Sequence, residues 1–519
     1  MKRSVDFAFR FQCVLRLVDK IMNFLGIDVG TGGSRAVLID SQGEVVAGET
    51  VEHAPFASPE IGWAEQDASD WWRASVAAIR AVLQKKNVKA EKIGAIGFSG
   101  QMHGAVLLDE NDKVLRPALI WCDQRTEKQC REITEKIGAA RLVELVSNSA
   151  VTGLTLPKLL WVRENEPEIW ARVKTVLLPK DYVRFRLTGD KASDVSDASG
   201  TLVFDVQKRV WSKEMLNAFE LNRNLFPPVY ESAEITGTVS ENGAVSTGLI
   251  AGTPVAAGAS DNAAGAIGMG IVRAGMASVT IGTSGVVFVV TEKPTLDPKG
   301  RIHTFCHAIP NRWHLTGVTQ AAGLSLRWFR DNFGAGASYK NLTAEAAETS
   351  AGAEGAIWIP YLMGERTPYL DANARAALVG LTASHTRAHA VRAVLEGVAF
   401  SLRDSFEIFR EMNAPIEIIR LGGGGAKSDL WRQIQADVYG QMVETIAAEE
   451  GAAFGAALLA GVGARAWKTV DEACEKTIRP AEQIKPKTKS IEILNRNYQA
   501  YKLLYLALRP AMKIITGEK

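Results

Sequence analysis

The first fifty residues alternate short apolar runs with glycine-rich breaks. Phe24–Val29 is apolar apart from Asp28, which predicts a buried strand, and Gly30–Gly33 predicts a tight turn. Arg35–Asp40 reads as a second strand, Ser41–Gly43 as a turn and Glu44–Glu49 as a third strand, so the chain opens as a meander. Residues 67–84 carry apolar positions at helical spacing, with Asp67, Ser69 and Asp70 supplying the cap and the first turn. Ile93–Phe98 is the next strand, ending at SGQMHG (99–104). Leu156–Trp170 and Pro179–Thr188 read as helical, and Thr253–Ala259 as a strand that runs into SDNAAGAIGMG (260–270).

After Gly275 the opening pattern returns. Ala277–Ile281 is a strand, Gly282–Gly285 (GTSG) a turn, and Val286–Thr291 a second strand. A strand–Gly–Thr–strand unit repeated once in each half predicts two domains of related build rather than a solenoid. Further on come an acid-and-arginine loop (GERTP, 364–368), a helix over about 388–410, and a strand over Ile416–Leu421. The loop GGGGAKSD and a helix from Leu430 follow. The small-residue run Gly451–Leu459 begins another helix. Residues 489–511 form a last one, expected to stop at or soon after Pro510.

The glycines suggest phosphate chemistry, and the common loops can be tested. GxxxxGK[ST] is approached only at Leu421–Ser428, where Leu421 and Ala426 replace both glycines. Gly30–Arg35 lacks the third glycine of a dinucleotide fold and leads into a strand instead of a helix. HRD and DFG are absent. A Gly/Thr hairpin turn remains, whose backbone N–H groups can cradle phosphate oxygens, and two of them can grip a polyphosphate from both sides. A carboxylate beside phosphates is repulsive without a cation between, so Asp28 in the first strand implies Mg2+. Asp261 lies among Gly258, Ala259, Ser260, Asn262, Ala263 and Ala264, small neighbours that admit a ligand. It reads either as a base for an attacking hydroxyl or as a helix N-cap.

Composition narrows the class. With 519 residues, 47% of them hydrophobic, the chain can build two cores. A formal net charge of +2 and 23% charged residues argue against a nucleic-acid or membrane-surface partner. Five cysteines without a CxxC pair point to reduced thiols and a cytoplasmic location. Seven scattered histidines show no metal-binding spacing, and no apolar run nears the roughly 20 residues that span a bilayer. Residues 1–22 are basic and apolar, interrupted by Arg10 and Arg16. They read as an extension outside the core, with Met22 just before the first strand.

The hairpins resemble those of the actin-like ATPases, and GLTLPKLLWVREN (153–165) resembles the signature of the FGGY carbohydrate kinases, with Lys158, Trp161, Glu164 and Asn165 in the signature positions. SGQMHG, IWCDQR (120–125), LPKDYVRFRLTG (178–189), SDVSDASGT (193–201), GASDNAAGAIG (258–268) and FCHAIPNRWHL (305–315) extend the likeness over most of the chain. They point within the family to its xylulose-phosphorylating branch. The resemblance implies two actin-like, ribonuclease H-like α/β domains, 23–270 and 271–519, with a catalytic cleft between them. It implies transfer of phosphate from Mg-ATP to the terminal hydroxyl of D-xylulose, with a gluconate, ketose or polyol kinase as the alternative. By the same resemblance Asp261 is the catalytic base, and Asp28 places the magnesium, joined by Asp261 through water. Thr31 and Gly282, Thr283 and Ser284 form the phosphate loops, and Gly423, Gly424, Gly425 and Ala426 the nucleotide loop. Met102, His103, Asp261 and Asn262 contact the sugar. A homodimer is compatible with the resemblance. A glycerol kinase fits less well, because that branch carries an Arg-Glu pair where this chain has Met102 and His103. A chaperone-type or filament-forming ATPase would leave the signature unexplained, and a sugar-sensing repressor would need a DNA-binding helix pair.

Overall fold

The computed structural model describes residues 22–85, 88–447 and 450–517. The expectation for residues 1–21 lies outside them. Two mixed sheets carry the fold. The first runs, in spatial order, Ile235–Thr238, Pro254–Ala256, Ile93–Gly100, Asn23–Val29, Gly33–Ile39 and Val45–Glu52, with Ala259–Ser260 also paired to Ile93–Gly100. The second runs His303–Cys306, Trp313–Thr319, Gly285–Thr291, Gly275–Ile281, Ile416–Gly423, Val443–Ile446 and Pro480–Ile484.

The two sheets repeat one plan. In each, a strand turns back on itself in an antiparallel hairpin and also pairs in parallel with a strand from far along the chain. Even the irregularity recurs. The parallel ladder slips between Asn23 and Phe24 in the first sheet and between Gly275 and Met276 in the second, the first two residues of the equivalent strands. That shared slip aligns Asp28, opposite Ser99, with Thr280, opposite Gly422. The carboxylate thus belongs to one hairpin only.

Two helices join the halves. Asp261–Gly268 follows the first sheet, and Gly451–Gly463 comes from the C-terminal half but lies on the first sheet. Four glycines in a helix of thirteen residues lower its intrinsic stability by about 1 kcal/mol each relative to alanine. Close approach is the return. A methyl on Gly26 would sit 1.8 Å from the Ala453 carbonyl oxygen, one on Gly97 2.0 Å from that of Ala456, and one on Gly455 1.8 Å from that of Ala264. Phe24 and Ala95 of the first sheet, Ile267, Phe288 and Val290 of the second sheet and Leu458 therefore share one core. A cut at residue 270 separates the sheets but leaves this helix exchanged between them.

Most elements lie where the periodicity puts them, from the helix Ala68–Leu83 capped by Asp67 to the helix Arg387–Glu411. Two differ. Leu156–Trp170 is two helices, Thr155–Asn165 and Pro167–Arg172, because Pro167 starts a new first turn. The last helix runs Thr488–Thr516, straight through Pro510. The bond that Pro510 cannot make would have gone to Leu506, which is 64% exposed, so water can take the carbonyl.

Candidate active site

The first strand brings Asp28 to the bottom of the cleft. Its Oδ1 is buried and has no hydrogen-bond partner among the described residues. Desolvation raises its pKa to about 6, opposed by the neighbouring Ser99 hydroxyl and by the charge of Arg35. Asp261 is the first residue of the helix Asp261–Gly268. The cap is its neighbour Ser260, whose hydroxyl accepts from the Ala263 N–H, so capping does not account for Asp261. Its Oδ1 accepts only from the adjacent Asn262 N–H, at 2.7 Å. Desolvation first, then the charge of Asp28, lift its pKa to about 7, with the Asn262 hydrogen bond opposing. Two carboxyls that press on each other, one with a buried unpartnered oxygen, fit a divalent cation. No group of three or more His, Cys, Asp or Glu suited to a metal occurs among the described residues, so further ligands would have to be phosphate oxygens and water.

Each of the two hairpin turns is closed by its own backbone. Gly30 N–H closes the first on the Gly33 carbonyl at 3.0 Å. The Thr31 hydroxyl accepts from Trp121 Nε1 at 2.8 Å and donates to Gln101 Oε1 at 3.3 Å, while its carbonyl accepts from Gln66 Nε2. The Thr31 side chain is thus engaged by the protein itself. In the second turn the carbonyls of Gly282 and Thr283 accept from Gly323 and Leu324, which tie the turn to the start of the helix Gly323–Phe333.

Beside that turn opens a cavity of about 810 Å³, lined by Gly282, Thr283, Leu324, Tyr339, Ala344, Gly424, Gly425 and Trp431 among others. Its size and mostly apolar wall suit a nucleoside. Of the nucleotide loop expected from the sequence, Gly424 and Gly425 line this cavity and Gly423 and Ala426 do not; of the second phosphate loop, Gly282 and Thr283 line it and Ser284 does not. Gly423 has φ +73° and would place a methyl 2.6 Å from the Ile281 carbonyl oxygen, so it serves the close pairing of the two strands. The Ala426 carbonyl accepts from Arg432 Nη1. Ser284 spends its carbonyl closing the turn on Gly282 N–H at 2.9 Å.

Across the cleft, Met102 and His103 form a tight corner after the strand Ile93–Gly100. His103 has φ +70°, a costly conformation for a non-glycine residue. The carbonyl of His103 accepts from Lys158 Nζ at 3.0 Å and from the Thr155 hydroxyl at 3.1 Å. Lys158 also donates to the Gly153 carbonyl at 2.5 Å. The FGGY-like signature thus braces the Met-His corner from behind, a role its pattern alone did not disclose. Burial lowers Lys158 to about 7. The His103 ring meets the Gly200 carbonyl at 3.1 Å, so Nδ1 carries the hydrogen and Nε2 is an acceptor. Burial, then Lys158, hold this imidazole well below its ordinary pKa. Asn262 Nδ2 reaches Met102 Sδ at 3.6 Å, which links the corner to the residue after Asp261.

The second half adds a residue that the sequence noted only as part of a loop. Arg366 follows Glu365, whose Oε1 accepts from Gln320 N–H at 3.0 Å and Arg366 N–H at 2.7 Å. Desolvation lifts Glu365 to about 8. A sugar pocket read from Met102 and His103 alone contains no fixed cation. Arg366 brings one beside Gly153.

Comparison with known proteins decides the family. Residues 23–268 match the FGGY family of carbohydrate kinases, N-terminal domain, and residues 277–464 match the C-terminal domain of the same family. The chain belongs to the FGGY family of carbohydrate kinases. It is 40% identical over 481 residues to the xylulose kinase of Bacillus subtilis (strain 168), covering 93% of this chain and 96% of that protein. Among solved structures it is similar to a ligand-bound xylulose kinase from Lactobacillus acidophilus, at TM-score 0.90, 25% identity, 95% of this chain and 100% of that one. It is similar to a gluconate kinase from the same organism at TM-score 0.89 and 26% identity, covering 94% and 98%. Two substrates thus share one backbone at nearly the same distance from this chain, and the backbone alone does not choose between them. Among the described residues no helix is long and apolar enough to cross a membrane.

Proposed function

We propose that this chain transfers the terminal phosphoryl group of ATP to the terminal hydroxyl of D-xylulose, giving D-xylulose 5-phosphate and ADP. The observation that carries the reading is Asp261, a carboxyl raised to about 7 by burial and by the charge of Asp28, whose own Oδ1 has no partner among the described residues. Asp261 takes the proton of the attacking hydroxyl. Its oxygen then bonds to the terminal phosphorus as the bond from that phosphorus to the bridging oxygen of ADP breaks. A base with a pKa near working pH is well matched to a hydroxyl that loses its proton only during transfer.

Asp28, with Asp261 through water, would hold Mg2+. When bound, the metal neutralises phosphate charge in the transfer. Beyond the Gly30 and Gly282 amides, which close the turns, the remaining amides of the two turns orient the phosphates, and the cavity at Gly424 and Gly425 receives the adenosine. Met102 offers a soft apolar contact, neutral His103 an acceptor and Asn262 an amide to the sugar. This arrangement suits a neutral polyhydroxylated ketose. The 40% identity to a xylulose kinase over 93% of this chain supports the same substrate.

A sugar acid such as gluconate is the second reading, favoured by the guanidinium of Arg366 in the same cleft. ADP release measured across D-xylulose, D-ribulose, glycerol and D-gluconate decides. D-xylulose is expected to give the highest kcat/KM, and a higher value for gluconate or glycerol would reject this reading.

A further inference from the structure

Arg366 stands on a loop held from all sides. Its neighbour Thr367 donates N–H to the Val318 carbonyl, and its hydroxyl donates to the Arg301 carbonyl at 3.0 Å. Glu365 and Asp371 exchange backbone hydrogen bonds at 2.8 Å, and the Tyr505 hydroxyl donates to Asp371 Oδ2. The guanidinium on this fixed base is half-buried, yet it makes no hydrogen bond or ion pair with the described residues. Other arginines of the chain are paired. Arg125, for example, is bound to Asp123 and Glu65. The adjacent Glu365 turns its carboxyl to backbone amides and Ser401 and, raised to about 8, is mostly neutral at pH 7.

The guanidinium lies against Gly153. A methyl there would lie 3.7 Å from Arg366 Nη2 and 2.9 Å from the Trp121 carbonyl oxygen. The Gly153 carbonyl is bound by Lys158, which also holds the His103 carbonyl. Arg366 thus reaches from the second half of the chain to the Met-His corner of the first. Its charge acts on His103, Lys158 and His303, in keeping with its place at that corner.

We propose that Arg366 is a specificity-determining residue whose guanidinium binds the C1–C2 end of the sugar, donating to the ketone oxygen and the neighbouring hydroxyl. The proposal rests on the reading above, in which the other end of the pentulose meets Asp261. A fixed fork of N–H donors matches two adjacent acceptor oxygens, and a ketone accepts where the alcohol of a polyol must also place a hydrogen. The same fork would take a carboxylate, so Arg366 also explains how a sugar acid could compete.

The test compares wild type, Arg366→Met, Arg366→Gln and Arg366→Lys on D-xylulose, xylitol and D-gluconate at saturating ATP. Xylitol is the same carbon chain with the ketone reduced. Arg366→Met is expected to raise KM for D-xylulose about 10- to 100-fold, the loss of a charge-assisted hydrogen bond, with kcat changed less than about threefold. Xylitol should change little, so discrimination between ketose and polyol collapses, and Arg366→Lys should restore part of it. An unchanged KM for D-xylulose, an equal loss on xylitol, or a fall in kcat alone would each overturn the proposal. Melting temperature and the KM for ATP identify a variant that misfolds, in which case Arg366→Gln and Arg366→Lys carry the comparison. If wild type prefers a different sugar, the functional reading fails. The same comparison, run on that sugar and its carbonyl-free analogue, still decides the role of Arg366.

Discussion

The negative charge of Asp28, at the end of the first strand, adds to desolvation in lifting Asp261, in the first turn of the linking helix, to about 7. Replacing Asp28 by Asn removes that charge and must lower the Asp261 pKa. The acid limb of kcat/KM, which reports the free enzyme, is therefore expected near pH 7 in wild type and at lower pH in Asp28→Asn. A limb that stays in place or moves up would separate the two carboxyls. The same variant should need more Mg2+ for half-maximal rate while the sugar KM changes less, and a magnesium titration checks it.

Asp261→Asn is expected to lower turnover by about 10²–10⁴-fold with ATP binding retained. It also has a stability signature with a fixed sign. A carboxyl whose pKa rises from 3.8 unfolded to about 7 folded contributes stability that is full below about pH 4 and lost as pH climbs through 7. The amide does not titrate. In metal-free, nucleotide-free protein the melting temperature of Asp261→Asn relative to wild type should rise between pH 4 and 7 and stay level above. A flat difference across that window would mean that Asp261 is ionised throughout.

Lys158 tests the bracing of the sugar corner. Lys158→Met keeps the volume of the chain but removes the donor to the His103 and Gly153 carbonyls. Leaving buried carbonyls unmade costs about 1–3 kcal/mol, part of it local distortion at the positive-φ His103. The KM for D-xylulose should rise about tenfold or more and the KM for ATP should not. His103→Ala should raise the sugar KM as well. A variant with lower melting temperature and normal sugar KM would make His103 a brace alone.

Much of this was legible before any coordinates, for reasons that differ by region. The hairpins carry short, nearly continuous apolar runs bounded by glycine, so both could be read locally. Asp28 stood out as an acid inside an apolar strand; Asp261 read equally as a helix N-cap until the structure gave that role to Ser260. The exchanged helix Gly451–Gly463 was visible as a run of small residues, but its partner was not. Only the distances from Gly26 and Gly97 reveal which surface it approaches. Lys158 and Arg366 lay in motifs already singled out, yet their roles depend on what His103 and Gly153 place beside them from distant stretches of chain. The cavity beside Gly424 was the least legible part. Its apolar wall comes from Leu324, Tyr339 and Ala344, which look like ordinary helix residues in sequence.

That cavity gives the last prediction. Gly424 and Gly425 both line it, but they face different constraints. A methyl on Gly424 would meet nothing closer than the Ile281 carbonyl oxygen at 3.6 Å, an ordinary contact, and Gly424 is exposed. A methyl on Gly425 would lie 2.7 Å from Ile281 Cβ, inside the strand packing. The protein therefore tolerates a side chain at 424 and resists one at 425. Gly424→Val should leave the melting temperature nearly unchanged, since its effect on folding is within about 0.5 kcal/mol. Gly425→Val should overpack the Ile281 contact and lose about 1–3 kcal/mol. If adenosine lies against the Gly424 backbone, the two isopropyl methyls occupy its space. Gly424→Val should then raise the KM for ATP about tenfold or more with the sugar KM unaltered. Thermal melts and ATP titrations on the two variants check this together. A stable Gly424→Val with a normal KM for ATP would move the nucleotide away from this loop and leave the cavity without its proposed occupant.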